Sequence, residues 1–248
     1  MIRWVLLLMA LALPAKAQDL VAGLSTSRIN ISANFDGSEI LIFGAIKRTG
    51  PLGPGDLNII ITVEGPKTPL TVRRKSRVGP IWINTEGVRI DAAPSFYAVN
   101  TTGPLSLVLT QTADLRHGIT INRAIRSVGL GVQDGSNFTD AVVRIREEAD
   151  LYQVNQNAVT LRQDTLFDTS VELPANLVDG IYTARLFLTR DGQVVSQASE
   201  TIYVEKVGLE KFLYGMAHEQ ALLYALMSLA IAIAAGWSAS AAFRYLQN

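Results

Sequence analysis

From Ile29 to Glu205 apolar positions recur mostly at every second residue, in short runs separated by glycine and proline. Ile29, Ile31 and Ala33 alternate with Asn30, Ser32 and Asn34, which predicts a half-buried strand turned by Asp36-Gly37-Ser38. Glu39 to Ala45 (EILIFGA) and Leu57 to Val63 (LNIIITV) read as more apolar strands on either side of the Pro/Gly-rich loop from Arg48 to Asp56. Leu70–Arg74, Ile81–Asn84, Val88–Asp91 and Leu105–Leu109 complete six or seven short strands. That rhythm predicts a mainly β fold of the immunoglobulin-like β-sandwich type, although a closed barrel writes a similar one.

The period changes near Asp114. In Asn137 to Tyr152 the apolar residues Phe138, Ala141, Val142, Ile145, Ala149 and Tyr152 fall at helical spacing, with Ser136 or Asn137 as cap. Arg144 with Glu148 and Arg146 with Asp150 are expected as i,i+4 pairs on the wet side. Ile119 to Val128 suggests a shorter helix, stopped by Gly129 and Gly131. Alternation resumes at Val159 and is clear in Leu166–Leu173 and Gly180–Thr189. Asp191-Gly192 then predicts a tight hairpin into Gln193–Glu205. Asp179-Gly180-Ile181-Tyr182 resembles the corner of Greek-key sandwiches, in which a tyrosine hydroxyl ties back to upstream backbone.

Ala221 to Phe243 (ALLYALMSLAIAIAAGWSASAAF) carries no charge and no proline. As a helix it covers roughly 34 Å, enough to cross a hydrocarbon core of about 30 Å. Trp237, Phe243 and Tyr245 gather toward its C-terminal end, where aromatic rings favour the interface. Ser228, Ala232, Gly236 and Ser240 recur every fourth residue, as do Ala230, Ala234, Ser238 and Ala242. Small residues at that spacing let a second helix pack closely.

Composition adds the compartment. Arg3, the apolar run Trp4–Leu13, Pro14 and Ala15-Lys16-Ala17 spell a secretory leader, so a mature chain starting at Gln18 is expected. Cleavage there puts the N-terminal part outside, one helix across the bilayer and Arg244–Asn248 in the cytoplasm, in the sense of the positive-inside rule. The chain has no cysteine, which excludes a disulfide framework and a thiolate metal site. With Arg3, Lys16 and Arg244 set aside, acidic residues slightly outnumber basic ones, so nothing draws the exported part toward nucleic acid. The resulting organisation is a leader (1–17), a β region (18–114), a helical insertion (115–157), a second β region completing or following the sandwich (158–207), a juxtamembrane segment (208–220), the span (221–243) and a tail (244–248).

Catalytic signals are sparse. His117 and His218 are the two imidazoles, a hundred residues apart, and no HxxxH or HxH spacing exists for a metal. Ser25, Ser27 and Ser127 lack a G-x-S-x-G context. Glu147, Glu148 and Asp150 cluster on the polar face of the expected helix, with arginine neighbours. Neither a phosphate loop nor a complete dinucleotide fingerprint occurs. The sequence therefore calls for no metal and no cofactor. Arg73, Arg74, Lys75 and Arg77 form the densest basic patch, suited to anionic headgroups, an acidic partner or an anion. A charged strand end that discourages edge pairing would look the same. Trp82, Tyr97 and Arg73 are the loop residues expected to line a ligand site. Asn30-x-Ser32, Asn100-x-Thr102 and Asn137-x-Thr139 match the glycosylation sequon.

The run LFDTSVELP, the hairpin DGIYTARLFLTRDGQVV, the approach VEKVGLEKF and the helix ending in Gly236-Trp237 resemble the Alph_Pro_TM family, alphaproteobacterial transmembrane proteins of unknown function. The similarity covers most of the chain after the leader and is strongest from Leu166 to Trp237. These are structural signatures, so no functional residues carry over. The resemblance implies a Gram-negative inner membrane, a periplasmic domain and a link to sulfite-exporter-like permeases. The function expected is a non-enzymatic accessory subunit that meets the lipid bilayer and docks on an integral-membrane protein or on itself. The alternative is a module binding an envelope polymer or small anion.

Overall fold

A computed structural model describes residues 19–32, 34–47, 55–127 and 135–246. The expected leader, most of the Pro/Gly-rich loop, Ala33, Gly129, Gly131 and the last two residues of the tail lie outside that set. Contacts divide the chain into a β unit, mainly Asp36–Val204, and a second unit that holds the helices following Glu205.

The β unit is mainly β, as its alternation predicts. One sheet has four strands in the order β1 (Asp19–Leu24), β3 (Ser38–Lys47), β11 (Leu166–Leu173), β10 (Thr160–Arg162). A second has six, in the order β2 (Arg28–Ile31), β13 (Gln193–Lys206), β12 (Gly180–Arg190), β4 (Leu57–Glu64), β7 (Tyr97–Thr101), β9 (Tyr152–Asn155). In the four-stranded sheet Ile40, Ile42 and Ile46 of β3 and Phe167, Val171 and Leu173 of β11 are buried, while Leu41, Phe43 and Leu166 point outward. One residue of slip would expose that entire apolar set, which fixes the register Val171↔Ile40 and Thr169↔Ile42. Gly44 is required there, because a Cβ would run into the Val21 carbonyl and the Phe167 ring.

The two sheets meet through a buried polar link. The Asn100 amide donates to Thr169 Oγ1 and to the Ser170 carbonyl, both at 2.8 Å, and accepts from Asn155 Nδ2 at 3.0 Å. An unpaired amide at this depth would cost several kcal/mol in an apolar medium, so the link also enforces alignment. Asn100 is fully buried, which removes its sequon from any surface chemistry.

Strand β4 is buried on both faces, which explains its unbroken apolar run. Ile59, Ile61 and Val63 share the face of Asn100. Ile60 joins Tyr97, Val99 and Phe187 in a second core closed by Val108, Ile119, Ile121 and Val142. Val108, Ile121 and Val142 come from the short helices Leu105–Val108, Ile121–Ala124 and Gly135–Glu147, and Ile119 from the link that follows a further helix, Gln111–His117. Leu105–Leu109, read as a strand, instead forms a single helical turn after Pro104, whose carbonyl accepts from Val108 N. The helix spans Gly135–Glu147, so Asn137 lies inside its first turn rather than capping it. Arg146 does not reach for Asp150; it donates to the Ser95 carbonyl at 2.7 Å and lies over the Tyr152 ring. Asp150 is already past the helix end with φ 57.

The mainly β character and the C-terminal apolar helix stand. Sheets of four and six strands, with a parallel β7–β9 pair and a third three-stranded sheet, leave the immunoglobulin-like topology unconfirmed. The corner tyrosine is present all the same: Tyr182 Oη donates to the Val178 carbonyl at 2.7 Å. The Asp191-Gly192 hairpin forms as read, with φ of 48 and 75.

Candidate functional site

The third sheet carries the basic patch. Lys67–Val78 (β5) and Ile81–Pro94 (β6) pair as one long antiparallel hairpin, with Arg126–Ser127 (β8) beside its base. Ile81–Asn84 and Val88–Asp91, read as two strands, are parts of the single strand β6. Gly79, at φ 64, and Pro80 make the turn that joins Val78 to Ile81. Val88 and Ile90 are the last buried residues of β6 toward the tip, and everything from Ile81 to Gly87 is exposed. Beyond the core neither side is buried, so no alternation in the sequence joins the two segments through Thr85–Gly87.

The hairpin's pleat sorts the four basic residues. Arg73, Lys75 and Arg77 are two apart on β5 and share one exposed face. Arg89 joins them there, opposite Thr71. Arg74 points the other way: it pairs with Glu86 at 3.1 Å and lies 4.8 Å over the Phe138 ring, fastening the hairpin to the helix Gly135–Glu147. Trp82 pairs with Arg77 on the basic face and is 67% exposed, whereas Ile81 and Ile83 face the other side. Val78, Ile81, Trp82 and Ile83 thus put an apolar tip in water ahead of a basic stem.

Trp82 and Arg73 therefore belong to one surface, and Tyr97 does not. Read as a loop residue, Tyr97 lies in β7 and is fully buried, its hydroxyl donating to the Ile119 carbonyl at 2.9 Å. Burial pushes its phenol up to about 12, against the opposing pull of Arg185. Burial likewise pushes Tyr152 up to about 12, and its hydroxyl donates to the Pro94 carbonyl at 2.8 Å. Both are structural.

Each histidine packs on an aromatic ring. His117 packs edge-on to Phe187, and His218 stacks on Tyr214 with ring centroids 4.0 Å apart. Among the described residues no group of three His, Asp or Glu side chains is placed to hold a metal. Ser25 Oγ accepts from Leu41 N at 3.1 Å, which continues the β1–β3 pairing past Leu24. An open cleft in the β unit is lined by Asp36, Glu39, Asp150, Gln153, Asn155 and Glu172. Sequence reading missed it because its residues come from three distant segments with no shared motif.

In the second unit, helix Leu209–Glu219 breaks at Gln220, and a further helix runs from Ala221 to Leu246. Among the described residues Ala221–Ala241 is the one segment long and apolar enough to cross a membrane, and none of it is buried within the chain. Ser228, Ala232, Gly236 and Ser240 are exposed along it. Its surface is apolar on every side, as a helix surrounded by lipid requires.

The family model described as "Putative transmembrane protein (Alph_Pro_TM)" matches residues 19–245. The chain belongs to that family. As an Alph_Pro_TM member it is a membrane protein, and among the described residues it has one candidate spanning helix, toward its C-terminal end. No curated protein matches it. Among solved structures, the crystal structure of BslA, a bacterial hydrophobin, is similar at 12% identity over 78% of this chain and 99% of that chain. Its TM-score of 0.22 carries no structural argument.

Proposed function

We propose that this protein is a non-enzymatic accessory subunit anchored in the inner membrane of a Gram-negative cell. In this reading the leader is removed after Ala17, the β unit lies in the periplasm, and the tail stays in the cytoplasm. The helix then docks through Ser228, Ala232, Gly236 and Ser240 on an integral-membrane partner, for which the family resemblance suggests a sulfite-exporter-like permease. The observation that supports this is the helix itself: none of Ala221–Ala241 is buried, and it carries small residues at every fourth position. A lone anchor needs only apolar bulk, and leucine would supply it better.

The test is co-purification from membranes after in-cell cross-linking, comparing the unsubstituted chain with A232L/G236L. Loss of an integral-membrane partner from the variant, with the chain still in the membrane fraction, is the expected result. Equal recovery from both would refute docking through this face. Cysteines placed at Ser25 and Asn248 and probed with an impermeant label give the orientation: reaction at position 25 alone is expected.

A second reading is a binding module for an envelope polymer, favoured by the cleft beside Glu39, Asn155 and Glu172. Its amides and carboxylates suit a chain of hydroxyls, whereas those carboxylates repel the small anion also considered. Calorimetric titration of the detergent-solubilised chain with neutral and with acidic soluble oligosaccharides separates the readings, because a docking subunit should bind neither.

A further inference from the structure

We propose that the β5–β6 hairpin docks on a lipid leaflet rich in anionic headgroups, its tip in the interface and its basic stem against the phosphates. This goes beyond the partner proposed above and does not rest on it. Val78, Ile81, Trp82 and Ile83 are 51%, 59%, 67% and 40% exposed, on both sides of the ribbon. A groove in a protein would call for one apolar side. A tip apolar all round suits a medium that surrounds it, and tryptophan is the residue most at home where hydrocarbon meets headgroup.

Charge sets the kind of lipid. From Arg73 to Glu86 the hairpin carries four basic side chains and one acidic one, and that acid is paired with Arg74 on the far face. The remaining three share one face. At about 3.4 Å per residue, Lys75 lies about 7 Å behind Arg77, and Arg73 about 14 Å behind it. A headgroup layer is roughly 5–8 Å deep, and the field of an anionic surface falls away over about 8 Å. With Trp82 in the interface, Arg77 therefore sits among the headgroups, Lys75 at their outer edge and Arg73 beyond. Each of the nearer two should strengthen docking about fivefold, and Arg73 less. The candidate span in the same polypeptide ties the hairpin to a bilayer.

The test uses the full chain reconstituted into phosphatidylcholine vesicles with or without phosphatidylglycerol. Trp4→Phe and Trp237→Phe leave Trp82 as the sole indole. Bromine-labelled lipid tails should quench Trp82 when phosphatidylglycerol is present and not when it is absent. The K75E/R77E variant should lower the docking constant about thirtyfold or more, whereas R77K should retain it, with an unchanged unfolding midpoint showing that the hairpin is intact. No lipid quenching in either vesicle overturns the proposal. Equal quenching in both overturns the charge selectivity and with it the proposal. Shielding of Trp82 that rises with protein density, without lipid quenching, means the tip meets a second copy and also overturns it.

Discussion

Arg185 Nη2 donates to the Tyr97 hydroxyl at 3.0 Å, joining β12 to β7 across the intervening strand β4. The same guanidinium donates to the carbonyls of His117 and Gly118, each at 3.0 Å. It therefore caps the C-terminal end of the helix Gln111–His117, where carbonyls run short of partners and the helix dipole favours a cation. One side chain thus holds the phenol and the helix end in place together.

Replacing it tests that arrangement. Arg185→Leu should destabilise the β unit by about 3 kcal/mol, because charge-assisted bonds are lost and the carbonyls stay buried. Combining it with Tyr97→Phe should cost less than the sum of the two. Equilibrium unfolding of the detergent-solubilised variants gives the coupling, and simple additivity would refute a joint role.

Alkaline pH should loosen the same core. Tyr97 and Tyr152 are raised to about 12, so the folded state holds their phenols protonated where an unfolded chain, at about 10, would release them. The stabilisation is complete below about pH 10 and disappears as pH climbs through 12, on the order of 2 kcal/mol per residue. Ultraviolet phenolate absorbance should show these two ionising late, together with unfolding. Early ionisation without unfolding would place them nearer solvent.

In the hairpin turn at Asp191-Gly192 the first residue is exposed and the second buried. Gly192 has φ 75, and a Cβ there would lie 2.8 Å from Thr110 Cγ2, while its carbonyl accepts from Thr110 N at 2.9 Å. Gly192→Ala should cost roughly 1–3 kcal/mol, read as a fall in the denaturation midpoint. Asp191→Asn, which tolerates the left-handed conformation, should cost less.

At the other end of β12, Tyr182→Phe removes the bond to the Val178 carbonyl. A loss of about 1 kcal/mol is expected, with near-native circular dichroism. An undetectable change would mean that water replaces the hydroxyl at no cost.

These residues mark what the sequence made legible. Strand β11 has the bounds read for it, because one face is buried and the other wet, and alternation survives only under that condition. The turn at Asp191 and the corner at Tyr182 are local chemistry, visible without a fold. Tyr97–Thr101 escaped notice because all five residues are buried, leaving no polar phase to count. Thr85–Gly87, which joins the two segments read as separate strands into β6, was hidden for the opposite reason, exposure on both sides. Of the basic patch, the two-residue spacing of Arg73, Lys75 and Arg77 was readable as one face, but the Phe138 contact of Arg74 depends on a helix some sixty residues away in sequence. Arg146 was assigned to solvent by its helical phase, whereas the Ser95 carbonyl draws it inward.

The side-by-side run of β7 and β9 in the same direction has a further consequence. Two such strands cannot be joined by a tight turn, so the polypeptide must travel from one end of the sheet back to the other. Residues 102–151, helices included, are that return path. An engineer who trimmed them as ornament would sever the route by which Tyr152 reaches its place beside Tyr97, and would strip the cover from the core around Tyr97, Val99 and Phe187. The helical stretch is thus wiring as well as roof, and any minimal version of this protein has to keep it.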